Sequence, residues 1–217
     1  MRDIKLSSPA KSNILQSAIS LFYDHGFDGT SVRDIANKAK VNPSNISYYF
    51  KGKQGLLETC FNRFFEEYLS FLEAEVHKLE HDSAADCLKR AVFNILHFQS
   101  ENYLMARFVW REVSIDSQVI REIISSYLMK EKYYMKMLLE AGMSEQALKK
   151  QPISFSIIQL KSMLTMPFLN SQQLREVWHV FPHENYFIEQ YYRQIENWID
   201  MLLVNEEVVS NGKLIVL

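Results

Sequence analysis

One stretch of the sequence, residues 30–53 (TSVRDIANKAKVNPSNISYYFKGK), restricts the possible fold more than any other. Its apolar residues recur at spacings of three and four in two short runs, which predicts two short helices with one inward face each. The runs are Val32, Ile35, Ala36 and Ala39, then Ile46 and Phe50. Because few residues separate the runs, a tight turn joins the helices. The stretch therefore predicts a helix-turn-helix unit, in which the second helix enters the major groove of DNA.

The ends of both predicted helices carry local signals. Thr30 is expected to cap the first helix, and Asn42 the second, because short polar side chains accept hydrogen bonds from free N–H groups. Pro43 suits the first helical position, where no N–H is needed. Gly52 is expected to end the second helix and Lys53 to begin a third.

The outer face of the second helix is short and polar. The spacing that turns Ile46 and Phe50 inward leaves a different set of side chains outside, small enough to approach base edges. The outward residues are Ser44, Asn45, Ser47 and Tyr48. We expect Asn45 and Tyr48 to contact bases, because both can form hydrogen bonds and both face outward.

A longer segment that includes this unit, residues 8–57, resembles the DNA-binding domain of the TetR family of transcriptional regulators. The resemblance covers ILQSAISLFYDHGFDGTSVRDIANKAKVNPSNISYYFKGKQGLL, through "LF…GF", "TSV.DIA..A.V" and "YYF..K..L". It implies an all-α, TetR-like homodimer acting on inverted-repeat DNA sites. The expected N-terminal domain spans 7–67, with its motif at about 30–50, and a C-terminal helical regulatory and dimerisation domain spans 68–217.

The resemblance also implies which residues touch DNA. Thr30, Tyr49 and Lys53 would contact phosphate, Lys53 from a helix N-terminus, and Pro43 to Tyr48 would face the bases. The complete expected set is Thr30, Ser31, Arg33, Pro43, Ser44, Asn45, Ser47, Tyr48, Tyr49 and Lys53.

Two positions depart from the family pattern. Lys40 stands in the turn where the family usually has glycine, so we expect Lys40 at positive φ, at a cost of about 1 kcal/mol. Ser47 stands where tyrosine is usual and removes one aromatic contact. The DNA sequence recognised therefore cannot be copied from a relative.

Two segments resemble the RefZ type within this family, which occurs in spore-forming bacilli. They are ISYYFKGKQGLLE and the tyrosine-rich ENYFIEQYYRQIENWID. That type is linked to cell division through the tubulin-like protein FtsZ, so the resemblance implies FtsZ as a protein partner.

A cluster of charged residues lies about a predicted bend near residue 115. It consists of Arg107, Arg111, Glu112, Asp116 and Arg121. One interpretation is an ordinary protein surface with salt bridges. The more specific interpretation is a surface that docks a partner protein, formed by Arg107, Arg111, Glu112 and Arg121.

The net charge of −2 conceals an uneven distribution. Residues 1–55 contain eight Lys or Arg and four Asp, a sum of +4, and the remainder contains 16 basic and 22 acidic residues, a sum of −6. A basic head on an acidic body suits a protein that places one end on DNA. Chance clustering of solvated charges would give the same numbers.

Apolar periodicity predicts helices throughout the chain, joined by few glycines and prolines. One long helix, 53–81, links the two domains without a flexible linker. The other expected helices are 8–25, 83–100, 102–114, 116–141 with Gly142 as C-cap, 144–150, 153–169, 171–179 and 184–204. Val208 to Leu217 is expected to be frayed.

The two most apolar late helices, 153–169 and 184–204, are expected to form the homodimer interface. Their apolar residues are Ile153, Ile157, Leu160, Leu164, Tyr191, Ile195, Trp198 and Leu202.

The body is rich in methionine and aromatic residues, which form either plain core or the lining of a small-molecule pocket. They are Met105, Phe108, Trp110, Tyr127, Met129, Tyr133, Tyr134, Met135 and Met137.

Several other classes of site are disfavoured. Glu73, His77 and His81 share a helix face, but a solvated face is preferred to a metal site. Cys60 and Cys87 lack metal spacing and are expected to be buried reduced thiols. No serine lies in a nucleophile elbow, which disfavours a hydrolase, and the sequence has no Gly-rich phosphate loop. We expect neither an enzyme nor a cofactor.

Three functions remain open. The first is a DNA-bound regulator acting through a protein partner such as FtsZ. The second is a small-molecule-responsive repressor, and the remote third is an all-α enzyme or structural module. Since no apolar run is long enough for a signal peptide or a membrane span, we expect a cytoplasmic, nucleoid-associated protein.

Overall fold

A computed structural model describes residues 8–145 and 148–202, and these residues form ten α-helices and no β-strand. The helices are α1 (Pro9–His25), α2 (Val32–Ala39), α3 (Pro43–Phe50), α4 (Lys53–Val76), α5 (Ala84–Glu101), α6 (Tyr103–Ile115), α7 (Gln118–Ser144), α8 (Ile153–Leu169), α9 (Ser171–Trp178) and α10 (Asn185–Met201). The predicted all-α class is confirmed. The expected frayed segment Val208–Leu217 lies outside the described residues.

The first three helices form the head of the molecule, and their local signals explain most of their ends. Ser8 caps α1 by accepting a hydrogen bond from the N–H of Lys11, with Pro9 in the first turn. Asn42 caps α3 in the same way and Pro43 opens that helix, as expected. Lys40 adopts φ 55° and ψ 45°, which confirms the predicted left-handed residue at the end of α2.

The cap of α2 differs from the prediction. Ser31, not Thr30, is the N-cap, and it forms a reciprocal capping box with Asp34. Thr30 is only 2% exposed. Its hydroxyl donates to the carbonyl oxygens of Leu21 at 3.2 Å and Gly26 at 2.8 Å. Thr30 therefore fastens the α1–α2 loop, and the next residue is left to cap the helix.

A single apolar core runs from the head into the body. α4 passes through both parts without interruption and buries Phe61 and Phe65. Phe108 of α6 stacks on Phe22 of α1, with ring centroids 5.0 Å apart, and meets Phe61 edge-on at 6.0 Å. The head is thus packed against the body as well as continuous with it.

Two helix ends in the body differ from expectation. α4 ends at Val76, five residues before the expected end, and the chain turns before α5 begins. Gly142 lies inside α7 and does not cap it. An added Cβ there would lie 2.5 Å from Leu148 Cδ1, so glycine permits Leu148 to pack onto the helix. Residues 148–150 are not helical, which contradicts the end of the helix predicted at 144–150, and residues 146 and 147 lie outside the described part of the chain.

Candidate nucleic-acid interface

The outer face of α3 is exposed. Ile46 and Phe50 are buried, at 0% and 4% exposed, and hold the helix against the core. Of the other predicted residues on α3, Pro43, Ser44, Ser47 and Tyr48 are exposed, Asn45 is half-buried, and Tyr49 is half-buried and packs against the core. The tertiary structure thus leaves the predicted base-reading face of α3 open.

Two contacts organise this face. The Asn42 side chain accepts from the N–H of Ser44 at 2.9 Å and from its hydroxyl at 2.8 Å. Tyr48 lies edge-on to Tyr49, with ring centroids 5.0 Å apart. An exposed aromatic side chain held in this way offers both a hydroxyl and an apolar edge to a groove.

The N-terminus of α2, the helix that precedes α3, carries two of the expected DNA-binding residues, Ser31 and Arg33. The hydroxyl of Ser31 donates to Asp34 at 2.6 Å, and its backbone N–H donates to the same carboxylate at 3.0 Å. These bonds favour the charged carboxylate and lower the pKa of Asp34. Arg33, in the first turn, is exposed.

Lys53 also fastens the α1–α2 loop. Its Nζ donates to the carbonyl oxygens of Phe27 and Thr30, each at 3.0 Å, and lies 4.3 Å from the centre of the Phe27 ring. The phosphate contact expected of Lys53 stays a prediction. Its ammonium already donates hydrogen bonds within the protein. The phosphate contact expected of the Thr30 side chain is corrected, because that side chain is buried and its hydroxyl proton is used.

The α1–α2 loop is also held by the body, through α6. Arg111 donates to the carbonyl oxygens of Phe22 and of Tyr23, the latter at 3.0 Å. The N–H of Phe27 donates to Glu112 Oε1 at 3.4 Å. Burial raises the pKa of Glu112, while this N–H and Arg111 act in the opposite direction. We call these contacts the head–body junction.

The junction changes the interpretation of the predicted docking patch. Arg107 donates to Ser171 Oγ at 2.7 Å and lies 5.2 Å from the Tyr23 ring centre. Arg107, Arg111 and Glu112 therefore have partners inside the chain and are half-buried or buried. Arg121 is the exposed member of the set and pairs with Asp116 at 3.1 Å. The predicted docking surface stays a prediction, and three of its four residues already have partners inside the chain.

One hydrogen bond joins the two predicted dimer helices, and part of the predicted face points inward. The hydroxyl of Tyr191 on α10 donates to the carbonyl of Met163 on α8 at 3.0 Å. Leu160, Leu164 and Ile195 are at most 1% exposed within the single chain, so they cannot supply an interface. The other predicted residues, Ile153, Ile157, Tyr191, Trp198 and Leu202, are half-buried.

Another apolar stripe on these two helices is exposed. Phe155 and Ile158 on α8 are 66% and 59% exposed, and Tyr186 and Met201 on α10 are 72% and 71% exposed. Met166 continues the stripe along α8. These residues, which we call the exposed stripe, offer apolar surface that a second chain could cover.

The methionine and aromatic residues of the body divide into two groups. Core positions are Met105, Phe108, Trp110 and Met135, which are buried, while Tyr127, Tyr134 and Met137 are half-buried. Met129 and Tyr133 are exposed on α7. Most of the group is thus packed core.

The remaining candidates have ordinary surroundings. Cys60 and Cys87 are buried and free, as predicted. Glu73 accepts a hydrogen bond from the Tyr134 hydroxyl at 2.8 Å. Within residues 8–145 and 148–202, no cluster of three His, Cys, Asp or Glu side chains could hold a metal ion. In the same ranges, no helix has the length and apolar character needed to cross a membrane.

Comparison with known proteins agrees with this geometry. The family described as "Bacterial regulatory proteins, tetR family" matches residues 14–60, which span α2, α3 and most of α1. The probable HTH-type transcriptional regulator YttP of Bacillus subtilis is 46% identical over 189 residues, covering 87% of this chain and 91% of that protein.

Solved structures share the fold at lower identity. A tetR-family regulatory protein from Rhodococcus RHA1 superposes with a TM-score of 0.73 at 18% identity, over 91% of this chain and 100% of that one. The regulator FadR of Bacillus subtilis, solved in complex with stearoyl-CoA, gives a TM-score of 0.68 at 14% identity over 89% and 99% of the two chains. These relatives agree with the resemblance to a regulator family and give no support to its RefZ type.

Proposed function

Because this chain belongs to the TetR family of bacterial regulatory proteins, we propose that it is a homodimeric repressor that binds an inverted-repeat DNA site and is released by a small molecule. The observation that carries the DNA-binding part is the exposed outer face of α3. Its apolar side is buried, its small polar side chains and Tyr48 are free to enter a major groove, and its N-terminus is opened by Pro43.

The dimer follows from the length of DNA that one α3 helix can read. A single recognition helix contacts too few base pairs for tight binding, and a two-fold dimer brings two such helices to a palindromic site. The exposed stripe of Phe155, Ile158, Met166, Tyr186 and Met201 is the surface that we assign to this contact.

The small-molecule input is preferred to a protein partner. The four side chains expected to dock a partner include three that hold the head, the body and α9 together. FadR, which shares the fold, was solved with stearoyl-CoA. The relatives give no support to FtsZ as a partner, so a cell-division role is not part of the proposal.

The test of DNA binding is selection from a random DNA library with the full-length protein. We expect an enriched inverted repeat whose half-site centres lie about 34 Å apart, or a multiple of that distance. The matched control is the double variant Ser47→Glu and Tyr48→Glu, which adds two negative charges at exposed positions and should fold normally but select nothing. Enrichment of no sequence by the unaltered protein would overturn the proposal.

The test of release is DNA affinity measured with and without a metabolite library. At least one compound should weaken operator binding more than tenfold, because an effector must bind the free state more tightly than the DNA-bound state.

A further inference from the structure

The centre of the body contains a buried carboxylate that the DNA-binding role does not use. Glu131 on α7 is 2% exposed. Its Oε1 accepts a hydrogen bond from the hydroxyl of Tyr68 on α4 at 2.8 Å, and its Oε2 accepts one from Lys161 on α8. Burial and the nearby carboxylate raise the pKa of Tyr68, so this phenol remains a donor.

Aromatic rings pack around Trp110, next to the two partners of this carboxylate, Tyr68 and Lys161. Trp110 of α6 lies 5.9 Å from Tyr68 between ring centroids, 5.5 Å from Phe64 and 5.7 Å from Phe65. The Lys161 ammonium is 5.8 Å from the Trp110 ring centre. The Lys161 ammonium therefore lies next to both groups that attract a cation, a carboxylate and an aromatic ring. We call Tyr68, Trp110, Glu131 and Lys161 the cation cage.

The indole of the cage is fixed in place. Trp110 Nε1–H donates to Gln99 Oε1 at 2.5 Å, and Gln99 Nε2 donates to the carbonyl of Leu164 at 3.0 Å. Gln99 is fully buried. Since the N–H is already bonded, the ring presents only its apolar edge and its π face to the cage.

The Lys161 ammonium, in contrast, reaches the buried carboxylate from a partly exposed position. The Lys161 side chain is 32% exposed, whereas the Glu131 side chain is 3% exposed. Lysine carries its charge on a flexible four-carbon stem. Lys161 can therefore withdraw into water between α7 and α8, but the Glu131 carboxylate cannot, and it would then need another cation.

We propose that the cation cage is a binding site for a monovalent organic cation with an apolar body, an alkyl- or arylammonium, and that Lys161 is a tethered cation which occupies the site when the ligand is absent. The ligand enters between α7 and α8, replaces the Lys161 ammonium at Glu131 and lies against Trp110. This inference names the effector class of the repressor proposed above and rests on that function for its effect on DNA.

The cage is connected to the head. Tyr68 lies on α4, whose first residue, Lys53, fastens the α1–α2 loop. Trp110 directly precedes Arg111, which bonds the carbonyls at the end of α1. A ligand that displaces Trp110 or Tyr68 thus acts on two elements that hold the head.

An anionic ligand fits this site poorly. An acyl carboxylate could pair with Lys161, but it would lie beside Glu131 and leave that buried carboxylate without a counter-ion. Binding of an anion in preference to a cation is accordingly an outcome that contradicts the proposal.

The experiment uses the fluorescence of Trp110 in the full-length protein. Replacing Trp178 and Trp198 by Phe leaves Trp110 as the only tryptophan of the chain. The probe is benzyltrimethylammonium, with its uncharged isostere neopentylbenzene and with hexanoate as controls. We expect a saturable change of Trp110 emission with the cation and none with the other two compounds.

Variants of the cage then test the role of Lys161. Lys161→Met removes the tethered competitor, so affinity for benzyltrimethylammonium should rise at least tenfold, and the cation should raise the melting temperature of this variant more than that of the parent. Lys136→Met, which removes a lysine paired with Glu140 on the surface of α7, should leave affinity unchanged. The double variant Glu131→Gln and Lys161→Met keeps the cage uncharged and should not bind.

Several results would overturn the inference. They are an equal response to neopentylbenzene, a response to hexanoate alone, unchanged affinity in Lys161→Met, and binding by the uncharged double variant. Because the assay contains no DNA, its failure is separate from failure of the proposed repressor function. Operator affinity with and without the cation then measures the coupling.

Discussion

Tyr48 is the most exposed large apolar or aromatic side chain that the structure describes, at 82%. Tyr48→Ala should therefore leave the melting temperature unchanged. If Tyr48 contacts a base, the variant should lose about 1–3 kcal/mol of operator affinity. Fluorescence anisotropy with labelled operator at fixed salt measures this loss.

Tyr133→Ala provides the control for Tyr48→Ala. Tyr133 is 57% exposed on α7 and lies edge-on to Tyr134, as Tyr48 does to Tyr49. Its replacement should change neither stability nor DNA affinity. Equal affinity of the two variants would remove Tyr48 from the reading surface.

Lys53 is the second residue whose surroundings predict an effect. Lys53→Met loses two hydrogen bonds from a charged group and the contact with the Phe27 ring. We expect the free energy of unfolding to fall by about 1.5–3 kcal/mol, measured by denaturant titration. Lys51→Met, at an exposed neighbouring position, should have no such effect. Unchanged stability of Lys53→Met, with a salt slope of DNA binding reduced by about one unit, would show that the ammonium serves phosphate alone.

At the scale of elements, α6 connects the two parts of the molecule. Its Arg111 bonds the last carbonyls of α1, and its Glu112 accepts from the α1–α2 loop. Since these bonds set where each head lies on the body, they also set the separation of the two α3 helices in a dimer. A substitution in α6 should therefore change the affinity for the inverted-repeat DNA.

Arg111→Met tests this role of α6. Affinity for the complete inverted repeat should fall by about 0.5–2 kcal/mol, the range of measured coupling effects, while affinity for an isolated half-site stays the same. Arg121→Met, which loses only contacts with Asp116, should behave as the parent protein. A parallel loss on half-site and full site would mean that Arg111 supports the fold of the head and not its position.

At the scale of the whole molecule, the proposed dimer contact is the exposed stripe on α8 and α10. Phe155→Glu combined with Ile158→Glu places two charges where a partner chain would bury apolar surface, and burial of unpaired charge is unfavourable. We expect a monomer by light scattering at micromolar concentration and a loss of binding to the inverted repeat.

Met129→Glu is the matched control for the dimer variant. Met129 is 73% exposed on α7, a helix that carries no residue of the stripe, and its replacement should leave the dimer intact. A dimeric double variant would place the interface elsewhere on the molecule.

Local signals predicted much of the fold. Ser8, Asn42 and Pro43 mark helix starts that the structure confirms, and α8 has the predicted bounds of 153–169. The outer face of α3 was also predictable, because two apolar residues four apart define the inner face of so short a helix. These signals act within one or two helical turns, so neighbouring residues suffice to read them.

Tertiary contacts decided what local signals left open. Thr30 and Ser31 are adjacent hydroxyl residues, and only the carbonyls of α1 determine that Thr30 is buried and Ser31 caps α2. α8 has apolar residues on all sides, so periodicity could not show that Leu160 and Leu164 pack inward while Phe155 and Ile158 face outward.

The sequence by itself thus determined the all-α class, the helix-turn-helix unit and the family, because each depends on spacing and capping along a continuous stretch. Tertiary structure alone decided the head–body junction, the exposed stripe and the cation cage. Arg111 and Tyr23 are 88 positions apart, and Tyr68 and Glu131 are 63 apart. Such pairs form only when packed helices bring distant side chains together, and no local pattern encodes which charged residue will meet which partner.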